Sequence, residues 1–335
     1  MKPVRTYRLT CLSEALSPIT HMMGTSGNES IINREYVYTQ GMTKAVPVLS
    51  GNAIRHRMVR EPGAMYLIRQ YDLEGQMSID MANFLLVGGS LSQSSISDNL
   101  RQIAQMQTLF PLLRLLGGSL TNQVVGGSLY VLRGVMLCEE NRRVLSRMLP
   151  DGYDLPNTDL RSCEEYVSEY QYTRGDARRL QGTQKLLSVP DVPVTPTLAA
   201  DGFVDDLLGE KSNLMLYSGQ TVKTGAMFLH GFYCQNISRL ELGALYHALA
   251  LWEQSGSTIG GQARIGHGRI QLAMLHADGK DFYGTEIDPA ECVTAYIEHV
   301  QQHRDDAVDW LQTAFPLKES RKKAKAVDLL LGKDG

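Results

Sequence analysis

The residues best suited to chemistry lie in a few basic or glycine-rich stretches. The first is Val46-Pro47-Val48-Leu49-Ser50-Gly51-Asn52-Ala53-Ile54-Arg55-His56-Arg57-Met58-Val59-Arg60. It reads as a strand end, a turn at Ser50-Gly51 and a helix. The Ser50 hydroxyl can accept from an orphan amide of the first turn, which makes it an N-cap. Pro62-Gly63 is expected to end the helix. Ile54 and Met58, four apart, can face a core while Arg57 points elsewhere. Unpaired N–H groups beside Arg55, His56, Arg57 and Arg60 make a site for phosphate. The plainer reading is a capped helix with a solvated basic face.

A second stretch runs Ile259-Gly260-Gly261-Gln262-Ala263-Arg264-Ile265-Gly266-His267-Gly268-Arg269. Its glycines let backbone approach a ligand, and Arg264 and Arg269 can meet phosphate. It can equally be a tight loop between a helix and a strand. A third stretch carries Arg174, Arg178, Arg179 and Lys185, then Leu186-Leu187, then Pro190, Pro193 and Pro196 within seven residues. The prolines exclude a regular helix and predict an extended arm. A basic arm with an apolar tip can wedge between stacked bases, or simply be a surface loop. His299 and His303 have the i, i+4 spacing of metal ligands but lack a third, so no metal is expected.

The elements that must position these groups follow from periodicity. Val4 to Leu12 alternates, with Tyr7, Leu9 and Cys11 on one side and Thr6, Arg8 and Thr10 on the other, as a half-buried strand does. Such a polar sheet face could hold RNA or be wet. A turn-rich loop, Gly24–Ser30, leads to a strand over Ile32–Gln40. Leu100, Ile103, Ala104, Met106, Leu109, Leu112, Leu113 and Leu116 keep helical spacing, broken or kinked at Pro111. Gly-Gly-Ser recurs at Gly88, Gly117 and Gly126. No longer repeat surrounds these tripeptides and none fits a P-loop or dinucleotide fingerprint, so they read as turns. Tyr130–Cys138 and Val222–Cys234 read as strands. Ser238 with Glu241 is a capping box that opens a helix bearing Leu242, Leu245, Leu249 and Trp252. A last helix lies near Pro289–Phe315.

The chain has 335 residues and a net charge of −3, with 43% hydrophobic and 21% charged residues, as an ordinary globular protein does. No run of about 18 apolar residues predicts a membrane span, and no signal core opens the chain, so a cytoplasmic protein is expected. Five scattered cysteines without a Cys-x-x-Cys predict reduced thiols and no zinc. The near-neutral charge weighs against a nucleic-acid binder without excluding one, because binding depends on local patches. Basic clusters at Arg55–Arg60, Arg174–Lys185, Arg264–Arg269 and Lys318–Lys325 alternate with acidic ones at Asp201–Glu210 and Asp281–Glu291. Both signs together suit packing against further copies.

Three features stand in one order: Ser17-Pro18-Ile19-Thr20-His21 before a glycine loop, Val46-Pro47 through Ser50-Gly51 to Arg55, and Gly260-Gly261 through Gly266-His267-Gly268-Arg269. This order resembles the RAMP superfamily of CRISPR proteins, and within it the Cas-seven-like backbone subunit, most closely that of type IV systems. The motifs touch about a tenth of the chain.

The resemblance implies an α+β fold: an RNA-recognition-motif-like (ferredoxin-like) palm with a helical fingers insertion and an extended thumb. The palm would cover 1–76, 149–164 (a connection) and 216–317. The fingers would cover 77–148, the thumb arm 165–215 and a basic tail 318–335. Copies of such a subunit line up along one guide RNA (crRNA), with other CRISPR effector subunits, and leave runs of guide exposed to pair with target DNA or RNA. By position, His21, Ser50, Gly51, Asn52, Arg55 and Arg57 would hold phosphates. Gly260, Gly261, Arg264 and Arg269 would lie at or beside the backbone, and Arg174, Arg178, Arg179 and Lys185 would serve the thumb. No cofactor is implied. Some relatives cut target RNA with an Asp in the loop after the first strand. Here that loop has Asn28 and Glu29, so a non-enzymatic role is expected. The competing reading is an endoribonuclease with Glu29 and His21 as an acid/base pair.

Overall fold

The computed structural model describes residues 4–26, 29–89, 100–120, 123–150, 153, 160–174, 215–281 and 286–317. In chain order the strands before the first helix are β1 (Val4–Ala15), β2 (Met22–Ser26), β3 (Glu29–Ile32), β4 (Arg34–Thr39) and β5 (Met42–Leu49). One continuous helix, α1, follows: α-helical over Gly51–Ile54, π-helical over Arg55–Arg60 and α-helical again over Glu61–Gln70. Then come α2 (Ile79–Leu86), α3 (Leu100–Leu109), α4 (Pro111–Leu116), β6 (Gly118–Leu120), β7 (Gln123–Val125), β8 (Leu129–Met136) and α5 (Arg142–Met148). The last elements are β9 (Val167–Arg174), β10 (Met215–Val222), β11 (Met227–Ile237), α6 (Arg239–Gln254), β12 (Ile270–Asp281), α7 (Pro289–Gln302) and α8 (Arg304–Ala314).

Six strands form the main sheet in the order β12-β1-β11-β8-β5-β4, all neighbours antiparallel. The fold is therefore α+β. Tyr7, Leu9 and Cys11 point to one face and are buried there with Phe228, Phe232 and Cys234, as the alternation of β1 predicts. Helices α1, α6 and α7 supply Ile54, Met58, Leu245, Leu249, Trp252 and Tyr296 to the same core. On the opposite face, Leu145 of α5 packs with Leu229, Val135 and Leu137. That second cluster covers part of the face that sequence alone left open, and Thr10 is 7% exposed. Beyond it, Arg8 lies 5.9 Å over the Tyr233 ring. All five cysteines are free and buried.

Five sequence expectations need correction. The single helix expected near Pro289–Phe315 is two, α7 and α8, because the chain leaves helical geometry at His303 (φ −103°, ψ 20°). Helix α1 does not stop at Pro62-Gly63. Pro62 falls in the first turn of the α segment that follows the π turn, where the wider turn relieves both the missing N–H and the ring clash one turn back. The strand expected over Ile32–Gln40 is two strands, because Asn33 leaves the ladder and donates its N–H to the His21 carbonyl at 2.7 Å. The strand expected over Val222–Cys234 is also two, with a turn at Gly225 (φ +86°) between β10 and β11. The mostly helical stretch expected over 77–148 is helical only as far as Leu116 and again in α5, and β8 within it belongs to the main sheet. Pro111 does break a helix, leaving Phe110 non-helical between α3 and α4.

A smaller sheet, β2-β3-β10-β9, stands beside the main one. Strands β9 and β10 are antiparallel, with Arg174 opposite Met215. The intervening 175–214 lie outside the described residues. So do Asn28, the side chain of Arg174, Arg178, Arg179, Lys185 and the tail 318–335.

Candidate nucleic-acid interface

The chain crosses between the two sheets at His21 and at Asn33, and the site is built there together with Ser50, where the main-sheet strand β5 passes into α1. His21 precedes β2, Asn33 separates β3 from β4, and Ser50 ends β5. The His21 Nε2 accepts the Ser50 backbone N–H at 3.1 Å, and the Asn33 amide nitrogen lies 3.4 Å from the same atom. Nε2 is thus an acceptor and the ring's proton sits on Nδ1. Burial lowers the His21 pKa in the same direction, toward the neutral ring. Ser50 caps α1 as expected, its hydroxyl accepting from the Ala53 N–H at 3.2 Å. The Gly51 and Asn52 amides, at the start of the helix, have no intrahelical acceptor.

The late glycine loop reaches the same place. Thr20 bridges Gly261, whose N–H donates to the Thr20 carbonyl at 2.7 Å. The Thr20 hydroxyl and His267 Nδ1 are 2.7 Å apart. The Gly268 N–H donates to the Pro18 carbonyl and the Arg269 N–H to the Ser17 hydroxyl, at 2.8 and 2.9 Å. Gly260 has φ +80°, and a Cβ there would stand 2.6 Å from the Thr20 carbonyl oxygen. Its glycine is therefore required by strand contact, and the loop amides named above are spent on the first motif. Arg264 and Arg269 remain exposed. The loop is also tied to β9, because Gln262 Nε2 donates to the Tyr170 hydroxyl of that strand at 3.0 Å.

The arginines of α1 divide. Arg57 is ion-paired with Glu61 at 2.5 Å and lines a groove with Met65, Arg69, Trp252 and Thr258. Arg55 is half-buried, its Nε has no hydrogen-bond partner, and burial lowers its pKa. Arg60 is 6% exposed and donates from Nη2 to the Gly117 carbonyl at 2.9 Å.

His21 and Glu29 are not brought together. Met22 pairs with Ile32 and Ser26 with Glu29, which puts Asn33 beside His21. Glu29 is four residues from Asn33 along the strand, about 13 Å at the usual strand rise. Among the described residues no group of three or more His, Cys, Asp or Glu could hold a metal ion, and no helix is long and apolar enough to cross a membrane.

Sequence reasoning missed Ser17, Thr20, Asn33, Tyr170, Gln262 and His267 as members of this constellation. Ser17, Thr20 and His267 sit inside the motifs themselves, where their neighbours already pointed. Nothing local marks Asn33 or Tyr170, because each contributes through a contact distant in sequence.

The chain is similar to one of a CRISPR complex. A solved structure described as "Type IV-B CRISPR Complex" covers 79% of this chain and 89% of its own, with a TM-score of 0.46 and 15% identity. No family model matches the sequence. No curated protein matches it either.

Proposed function

We propose that this chain is the guide-RNA-binding backbone subunit of a type IV-like CRISPR ribonucleoprotein. Copies polymerise along crRNA and grip its sugar-phosphate backbone without reading sequence, and the arm between β9 and β10 displaces bases so that the guide can pair with target nucleic acid. One observation carries the reading. The three motifs that define the resemblance, 252 residues apart at the extremes, Ser17 and Arg269, are joined directly by the His21–Ser50, Thr20–Gly261 and Thr20–His267 contacts, and the Gln262–Tyr170 bond adds the base of the basic arm.

The chemistry suits a guide whose sequence varies. Helix-start amides at Gly51 and Asn52, with Arg55, Arg264 and Arg269, recognise phosphate and carry no base code. Arg57, already balanced by Glu61, contributes less than Arg55. His21 acts by holding the Ser50 turn, as a neutral ring. A few phosphates per copy suffice when copies add along one strand. Acidic surface would then serve contacts with neighbouring copies and other effector subunits.

The test is to isolate the protein from its host and size any bound RNA, then measure binding of two unrelated RNAs by wild type and Arg55→Ala. A discrete small RNA of uniform length is expected, with similar loss for both sequences. Absence of RNA, or a loss confined to one sequence, would overturn the reading.

A further inference from the structure

Arg60 is a buried guanidinium with no carboxylate paired to it among the described residues. It is 6% exposed, its Nη2 bonds one carbonyl, Gly117 O, and its Nη1 is buried with no partner. Its packing is specific. Gly88, at φ +100°, lies flat against the guanidinium, so that a Cβ there would stand 3.2 Å from Cζ. Gly88 and Gly117 belong to two of the three Gly-Gly-Ser turns, which meet: the Ser119 N–H donates to the Gly88 carbonyl at 2.7 Å, and a Cβ on Gly117 would stand 2.4 Å from the Gly127 nitrogen.

The π turn puts Arg55 and Arg60 five apart, where its backbone bonds link successive turns, so the two like charges stand on one side of the helix. Burial and the Arg55 charge together lower the Arg60 pKa to about 10. Glu61, the nearest acid in sequence, is taken by Arg57. Among the described residues no acid is ion-paired with Arg55 or Arg60. An uncompensated buried charge is costly, and a second charge beside it makes it more so. Fixed positive charge of this kind is relieved by an anion.

We infer that Arg55 and Arg60 form a two-charge receptor for a phosphate oxyanion, in which Arg55 meets the phosphate and Arg60 is a positioning residue that holds positive charge behind it. On the function proposed above, which this inference deepens, the phosphate is a nucleic-acid phosphodiester; free phosphate has the same chemistry.

The experiment compares full-length wild type, Arg55→Met, Arg60→Met and Arg60→Lys. Each is melted alone, with a single-stranded oligouridine RNA, and with inorganic phosphate against chloride at matched ionic strength. Arg55→Met is expected to melt a few degrees above wild type without ligand, because like-charge repulsion is removed. Both Met variants lose about ten-fold or more in RNA affinity, and Arg60→Lys, which keeps the charge, stays within about three-fold of wild type. The inference is overturned if Arg55→Met melts lower than wild type, or if Arg60→Met folds and binds RNA as wild type does. Should Arg60→Met fail to fold, Arg55→Met and Arg60→Lys still decide. Stabilisation of wild type by phosphate but not by RNA would remove the guide-binding reading and leave the receptor standing. Stabilisation by neither would remove the receptor.

Discussion

The imidazole of His21 accepts the backbone hydrogen of Ser50 at 3.1 Å and so fastens the turn that opens α1. His21→Ala leaves the half-buried Ser50 N–H without that acceptor. The expected cost is about 1–3 kcal/mol, read as a lower urea midpoint at unchanged m-value. RNA affinity falls with it, while the salt slope stays within about 0.3 of wild type, since no phosphate contact is removed. A slope lower by a full contact would show that His21 itself meets phosphate.

Arg264 and Arg269 are exposed on the loop that Thr20 and Ser17 anchor. Replacing either with Ala should leave melting unchanged and lower the salt slope of RNA binding by about 0.7, the value for one phosphate on a single strand. Titrations at several salt concentrations decide it, and an unchanged slope would remove that arginine from the interface.

Neighbouring glycines of the same loop should respond oppositely to alanine. Gly260→Ala places a Cβ at 2.6 Å from the Thr20 carbonyl oxygen at φ +80°, and about 2 kcal/mol or more of destabilisation is expected. At Gly261 the nearest atom to a Cβ is 3.6 Å away, so Gly261→Ala should fall within about 0.5 kcal/mol of wild type. Equal effects in denaturant titrations would contradict the loop geometry.

His230 predicts an acid-side loss of stability. Its Nε2 is 2.8 Å from the Ser13 hydroxyl, its Nδ1 is buried without a partner, and burial lowers its pKa from 6.5 to about 4. The folded state disfavours the charged ring. The stabilisation is therefore complete above the unfolded pKa of 6.5 and is lost as pH falls toward 4. Over that window the unfolded chain binds one more proton, a slope of about 1.4 kcal/mol per pH unit and about 3 kcal/mol in all. Comparing His230→Gln with wild type between pH 4 and 7 isolates this proton, because His21, His56, His247 and His299, whose pKa values are also lowered, are common to both. Parallel stability curves would refute it.

Arg174 and Met215 face each other across β9 and β10, so a short turn can replace 175–214 without moving either strand. The shortened protein should melt within a few degrees of wild type but bind RNA more weakly or fail to assemble along it. Loss of folding would show that this segment contributes to the core.

Much of the fold could be read locally. The alternation of Tyr7, Leu9 and Cys11, the Ser50 cap, the Ser238–Glu241 capping box and the break at Pro111 each depend on neighbours within a turn or a strand. What failed were boundaries set from a distance. Pro62 ends a helix only if the preceding turn is α-helical, and here that turn is π-helical. Asn33 divides a strand because a histidine twelve positions earlier takes its amide.

The sequence by itself determined the inventory: most of the strands and helices, three short motifs in order, a basic proline-rich stretch and five scattered cysteines, because residue type and spacing set propensity, capping and charge. The tertiary structure decided what that inventory does. It engaged the His21 ring with the Ser50 turn, joined the glycine-loop amides to the Ser17–Thr20 segment, balanced Arg57 with Glu61 and left Arg55 and Arg60 without an ion-pair partner among the described residues. Hydrogen-bond partners and burial are properties of residues far apart in the chain, and only packing brings those residues together.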